Sequence, residues 1–193
     1  MRISRTRGWK PVSKTTKKRK RTSTTTRPSA VPVVLGLGGN LGPVEATLRT
    51  ALDRLRAALG PLAVASLYRT RPVSPIPQPS YWNTAALAET GMEPDAILAL
   101  GKALELAAGR RPGARYDARP LDIDLLLWGC RTTATPELTL PHPHLAQRRF
   151  VLAPLAEIAP DLPVPPGGET VAALLARLGP DTDGEVVRVG WSA

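Results

Sequence analysis

Two aspartates interrupt an otherwise apolar run at residues 121–128, LDIDLLLW. Strand side chains alternate between faces, so Asp122 and Asp124 share one face, about 6.5–7 Å apart along the strand. Leu121, Ile123, Leu125 and Leu127 are then expected on the other face. Aspartate is depleted in strands, and two like charges repel more strongly where apolar surroundings screen them poorly. The pair therefore calls for a cation. Two arginine partners would serve. So would a hard divalent ion, because Mg²⁺ takes one or two carboxylates and completes its shell with phosphate oxygens.

The segment just before the aspartates favours a phosphate ligand. Residues 110–119, RRPGARYDAR, hold Arg110, Arg111, Arg115 and Arg119. Guanidinium forks match phosphate oxygens, and a polyphosphate offers several of them. The alternative is a solvated loop whose arginines pair with Asp117. Pro112 and Gly113 give this segment the composition of a loop able to close on a ligand. Glu105 falls in the last turn of the helix before it, where a carboxylate opposes the helix dipole. Either the nearby arginines offset that charge or it receives hydrogen bonds from a nucleotide.

The two histidines, His142 and His144, lie in PHPH. They are too few for a structural zinc site with four protein ligands. A proline-held extended turn can aim one imidazole at a phosphate, and a plain surface turn is the other reading, stronger for His144. LGLGGNLG at 35–42 fails the dinucleotide fingerprint, because the third glycine should fall where Leu41 stands. Its glycines read as a tight strand-to-helix turn. No nucleophile-plus-base arrangement is present. Cys130, the one cysteine, excludes an intrachain disulfide and, at the end of an apolar run, reads as structural. The residues alone thus point to some form of phosphoryl transfer from a magnesium nucleotide.

The elements that must position these side chains follow from periodicity. Residues 31–37 read as a buried strand, 43–59 as an amphipathic helix ended by Gly60, and 62–70 as a second strand. Four prolines in 71–80 make an irregular loop. A third strand is expected at 81–89, a second helix at 94–108 and the diaspartate strand at 121–128. Short helices near 151–157 and 170–178 and a strand near 185–189 follow. The order β-α-β-β-α-β predicts an α+β, ferredoxin-like core with an antiparallel-rich sheet and C-terminal additions.

The basic balance belongs to one end. Residues 1–30 contain 11 of the 26 Lys and Arg and no acid, leaving 15 basic against 16 acidic side chains in the remainder. That extension is expected to be disordered, and 31–193 to form the domain. A nucleic-acid arm, an organelle targeting peptide, a basic patch for an anionic surface and a dispensable extension all fit its composition, but no interleaved aromatics follow it, so nucleic acid is not an expected partner of the domain. No apolar run approaches the roughly 20 residues of a membrane span. A cytoplasmic monomer is expected.

Taken together, LGLGGNLG (35–42), YRTRPVSPIPQPSYWNTA (68–85), LELAAGR (104–110), RPLDIDLLLWG (119–129) and LTLPHPHLAQRRFVLAPLAEIAPD (138–161) resemble the 6-hydroxymethyl-7,8-dihydropterin pyrophosphokinases of folate biosynthesis. The resemblance spans about 31–178 in family order. It implies transfer of the β,γ-pyrophosphoryl group of ATP to the hydroxymethyl oxygen of the pterin, with release of AMP. It implies two Mg²⁺ ions on Asp122 and Asp124, and catalytic roles for Arg110 and Arg119 as well. By the same analogy ATP would meet Glu105, Arg111, Arg115, Tyr116, Ile123, Thr139, His142 and Arg148. The pterin would lie between Tyr81 and Phe150, with Asn83 and the segment of Thr70, Arg71 and Val73 at its edges. The chain departs from the family at Gly39, where serine is usual, at Arg71, where proline is common, and at Tyr116, often tryptophan. The 110–119 loop is one residue shorter than in some members. A ferredoxin-like binding module is the alternative class, and the intact Asp122, Asp124, Arg119 and His142 argue against it. No room is expected for a second, fused folate enzyme.

Overall fold

In the computed structural model, which describes residues 29–72, 77–111, 117–181 and 186–192, the β-branched start of the first strand sets the centre of the sheet. Strand β1 (Val31–Gly39) runs between two antiparallel neighbours, β4 (Tyr81–Thr90) and β5 (Asp122–Trp128). Beyond β4 lie β2 (Leu62–Val64) and β3 (Tyr68–Thr70), and β10 (Val186–Arg188) adds an outer strand beside β3. With β2 and β3 counted as one broken strand, the order is that of a ferredoxin-like sheet, extended by β10.

Helices cover both faces. On one, α1 (Val44–Leu59) and α2 (Pro94–Ala107) present Leu48, Leu52, Leu55 and Ile97 to Val33, Leu35, Leu37, Ile123 and Leu125. On the other, α3 (Arg149–Ile158) and α4 (Val171–Arg177) pack Leu152, Leu155, Val171 and Leu174 against Val34, Ala85, Leu126 and Leu127. Fully burying one such leucine contributes on the order of 2 kcal/mol. Glu45 in the first turn of α1 and Arg56 in its last suit the helix dipole, and Gly60, at φ 95°, ends the helix by donating to the Arg56 carbonyl. Two short hairpins, β6 (Thr133–Ala134) with β7 (Thr139–Leu140) and β8 (Pro163–Val164) with β9 (Glu169–Thr170), were not expected from the sequence.

Three expectations are corrected. The strand expected at 62–70 is broken at residues 65–67. There the Ala65 carbonyl accepts from Thr84 Oγ1 and Trp191 Nε1, and the Leu67 carbonyl accepts from the amides of Val189 and Gly190. Leu127 does not share a face with Ile123 and Leu125. A bulge opposite Val34 and Leu35 makes Leu126 an extra residue, which turns Leu127 to the α3 side. Cys130 is exposed in the turn after β5 rather than packed. The readings of residues 1–28 and of Val73, Pro112, Gly113, Arg115 and Tyr116 fall outside the described residues.

Glu157 joins α3 to the broken strand and to β10. Its carboxylate accepts from Ser66 Oγ at 2.7 Å, Tyr68 Oη at 2.9 Å and Arg188 Nη2 at 3.1 Å. Burial alone would raise it, but these donors hold it down at about 2, while burial and the carboxylate push the Tyr68 phenol up to about 12. A carboxylate depressed on folding stabilises above its ordinary value of 4.5 and loses that contribution as pH falls toward 2. Glu157→Gln is expected to cost about 1–2 kcal/mol in urea unfolding at neutral pH. The gap to wild type should close as the pH drops below 4.5; a gap constant across that window would argue against the assignment.

Candidate active site

The site opens on the α3 side of the central strands. Alternation along β1 sends Leu35 and Leu37 into the α1 and α2 core, so Gly36 and Gly38 face the other way. Gly36 pairs with Asp124 and Gly38 with Asp122. The glycines therefore belong to the strand, not to the expected turn, and their missing side chains leave space beside the two carboxylates. A Cβ on Gly38 would stand 2.5 Å from Asn83 Oδ1, and one on Gly39 2.5 Å from the Pro120 carbonyl oxygen. Of the glycines at 36–42, Gly42 alone has a positive φ, 73°, and is a turn glycine in the conformational sense.

A cavity of ≈ 680 Å³ fills that space. Its walls include Asp122 and Asp124 from β5, Thr70 and Arg71 at the end of β3, and Tyr81 and Asn83 from β4. Phe150, expected at the pterin, and Arg119 and Arg148, expected at the phosphates, line it as well. The start of α3 lines it with no acidic side chain in the first turn, a setting that favours anions. Asn83 Nδ2 donates to Thr70 Oγ1 at 2.8 Å, which leaves Oδ1 as an acceptor on the Gly38 side. The Arg148 guanidinium lies 5.6 Å from the Phe150 ring centroid and braces that aromatic.

The two aspartates are electrostatically unlike. Asp122 has both oxygens engaged: Oδ1 accepts from Arg110 Nη1 at 2.6 Å and Oδ2 from Arg119 Nη1 at 3.1 Å. Asp124 forms no ion pair with the described residues, and burial together with the neighbouring Asp122 pushes it up to about 6. Arg110 also meets Glu105 Oε2 at 2.7 Å. Burial works against its charge, yet Asp122 and Glu105 hold the guanidinium above its ordinary value. The described residues contain no group of three or more carboxylate, histidine or cysteine side chains able to hold an ion alone. Two carboxylates on one face, opening on a cavity, do fit Mg²⁺ when phosphate oxygens complete its shell.

A second group of assigned residues lies along β5 outside the cavity. β5 is an edge strand, and its outward Ile123 amide needs an acceptor. Glu105 supplies it: the nearly buried carboxylate accepts from Ile123 N at 2.8 Å. The Ile123 side chain packs on Gly101 in the core, so only its backbone can face a ligand. His142 is tied to the bulge by its amide, which donates to the Leu126 carbonyl. Its Nδ1 accepts from His144 N at 3.2 Å, so the neutral ring carries its proton on Nε2. Burial, then Arg148 and His144, hold the imidazole below its ordinary value. Thr139 sits on β7 beside β5, and Arg111 is exposed past the end of α2.

Sequence reasoning missed Asn40, and with it the clamp that fixes the loop into β5. Asn40 is buried, and its Oδ1 accepts from Arg119 N at 2.9 Å while Nδ2 donates to Gln78 Oε1 at 3.0 Å. Its own amide donates to the Arg119 carbonyl. Leu178, Pro180, Asp181 and Val186 were missed as well, although they line the cavity beside Phe150. Nothing in their local sequence signals a site; the pairing of Val186 with Thr70 brings them there.

Comparison with known proteins identifies the family. The sequence profile described as 7,8-dihydro-6-hydroxymethylpterin-pyrophosphokinase matches residues 34–160. A 2-amino-4-hydroxy-6-hydroxymethyldihydropteridine pyrophosphokinase of Methylorubrum extorquens is 40% identical over 148 residues, 76% of this chain and 92% of that one. One from Synechocystis sp. is 38% identical over 154 residues, 75% of each. The HPPK-DHPS of Plasmodium falciparum, solved as wild type with pteroate, superposes with a TM-score of 0.63 at 14% identity. That superposition covers 83% of this chain and 46% of the other, so the chain spans less than half of that protein's length, and the likeness speaks for the fold alone. With the profile and the relatives in accord over most of its length, the chain belongs to the 7,8-dihydro-6-hydroxymethylpterin-pyrophosphokinase family.

Proposed function

We propose that this chain transfers the pyrophosphoryl group of ATP to the hydroxymethyl oxygen of 6-hydroxymethyl-7,8-dihydropterin. In that reaction the alcohol oxygen bonds to the β-phosphorus, the bond from that phosphorus to the α,β-bridging oxygen breaks, and AMP and a proton leave. The observation that carries the reading is the placement of Asp122 and Asp124 at the meeting of two regions: the cavity with Tyr81, Asn83 and Phe150, and the edge of β5 with Glu105, Thr139 and His142.

Each side chain has a task within this reading. Tyr81 and Phe150 flank the flat ring, and Asn83 Oδ1 accepts from its polar edge. Arg119 and Arg148 reach into the cavity, where guanidinium groups bind the transferring phosphates. His142 offers its Nε2 hydrogen as a neutral donor. Thr139, Arg111 and the backbone of Ile123 line the nucleotide side, and Asp122 and Asp124 would hold two Mg²⁺ ions. Bound there, Mg²⁺ would neutralise charge on the triphosphate and orient it. Positioning and electrostatics then account for most of the rate.

No described helix is long and apolar enough to cross a membrane. A monomeric, cytoplasmic enzyme is part of the same proposal, with residues 1–30 as an extension outside the catalytic domain. The test is AMP release in a coupled assay with the pterin and Mg-ATP. Turnover is expected for the full chain and for a form lacking residues 1–30. Folded protein that releases no AMP would refute the activity, and a large loss on truncation would give the extension a catalytic or folding role.

A further inference from the structure

Two guanidinium cations contact the diaspartate pair, and their contacts are specific. Both oxygens of Asp122 are taken, Oδ1 by Arg110 at 2.6 Å and Oδ2 by Arg119 at 3.1 Å. Each oxygen keeps a second lone pair, but a metal ion binding on the side that Arg110 or Arg119 occupies must displace that guanidinium, and its charge repels both. Arg119 is pinned through its backbone to Asn40 and faces the cavity. Arg110 follows the end of α2, and the Nη1 that meets Asp122 also lies 2.7 Å from Glu105 Oε2. Glu105 is itself fixed by the Ile123 amide at 2.8 Å and by Lys102 at 3.1 Å. Arg110 can therefore release Asp122 and still have a charged partner, so its positive charge is not stranded in a half-buried place.

We propose that Arg110 is a displaceable counterion: it pairs with Asp122, pivots on Glu105, and turns to the polyphosphate as the divalent cation loads. The inference rests on the reading of Asp122 and Asp124 as the metal ligands. Free metal has to compete with Arg110 for Asp122. A metal arriving with a nucleotide brings the anion that receives Arg110. Metal and nucleotide affinities are thereby coupled beyond the direct bond between ion and phosphate, and the coupling is reciprocal. Glu105 becomes a positioning residue, acting through Arg110 and through the Ile123 backbone.

The experiment titrates Mn²⁺, followed by its electron paramagnetic resonance signal, into the full chain with and without a non-hydrolysable ATP analogue. In wild type, Mn²⁺ alone is expected to bind weakly and the analogue to tighten it. Arg110→Gln should bind Mn²⁺ alone about tenfold more tightly, with little gain when the analogue is present, so the analogue's effect shrinks by a similar factor. Arg110→Lys keeps a cation against Glu105, protects the fold, and should move the same ratio by less. Lys102→Gln removes a nearby positive charge without touching Asp122. Plain electrostatics would raise Mn²⁺ affinity equally with and without analogue, and Lys102→Gln should do so. If the arginine variants behave like Lys102→Gln, or leave Mn²⁺ affinity unchanged, the displaceable counterion is wrong. If wild type binds no Mn²⁺ even with the analogue, the metal reading itself is overturned.

Discussion

Asp124→Asn is expected to reduce turnover on the order of 10³-fold or more and to raise the stability of the ligand-free protein. The two effects share one cause. Asp124 is a largely buried carboxylate beside Asp122, pushed up to about 6, and it forms no ion pair with the described residues. Its charged form is disfavoured on folding, so at neutral pH the group opposes stability. As pH falls from about 6 through the ordinary value of 3.8, the carboxylate protonates and the opposition disappears. The isosteric amide should therefore be more stable than wild type at pH 7 by on the order of 2 kcal/mol, with the advantage fading across that window. The amide has no charge to attract a divalent ion, which is why turnover should collapse while the fold improves. Calorimetry and the AMP assay read the two sides separately. Near-normal turnover would refute the metal assignment; a clear loss of stability at pH 7 would refute the electrostatic account of this strand.

Gly38→Ala should act almost entirely on the pterin. The added methyl would sit 2.5 Å from Asn83 Oδ1 and 3.2 Å from the Trp82 carbonyl. The carbonyl belongs to a central strand and cannot withdraw, so the Asn83 amide must move. It is bonded to Thr70 Oγ1 at 2.8 Å, so Thr70 is disturbed as well. A displacement near 1 Å at a positioning group can cost about 10²-fold. The expected result is a rise of about that size in the KM of the pterin, a much smaller change in the KM of ATP, and a loss of about 1–3 kcal/mol in stability from the overpacked strand pair. An unchanged pterin KM would mean that the Asn83 carbonyl does not accept from the pterin.

What the sequence disclosed was what local periodicity encodes. The bounds of α1 and α2 were legible within a residue because Leu48, Leu52 and Leu55 and the stops at Gly60 and Gly109 lie within their own segments. The shared face of Asp122 and Asp124 followed from alternation alone. Alternation failed three residues later at Leu127, because a bulge depends on the partner strand and leaves no mark in its own. The break at residues 65–67 escaped notice for a similar reason, since its backbone acceptors are taken by Thr84 and by residues 189–191. Glu105 was singled out as an anomaly against the helix dipole. The distances tie it to Arg110 and to the Ile123 amide, one of the alternatives left open by spacing. Asn40 and the glycines of β1 were seen as a turn, because their function lies in what approaches them from distant parts of the chain.

The central place of β1 also bears on how the protein folds. The first strand pairs with β4 and β5 and with no strand adjacent to it in sequence. The Arg119 to Asn40 bond spans 79 positions, and the Trp191 to Ala65 bond spans 126. Such high contact order slows folding, because long loops must close before the contacts that repay them form. During synthesis β1 therefore remains an unpaired apolar segment until β4 emerges, and both aspartates wait for β5. The geometry that gathers the candidate site beside β1 from distant parts of the chain makes the emerging chain a natural client for chaperones until that pairing is complete.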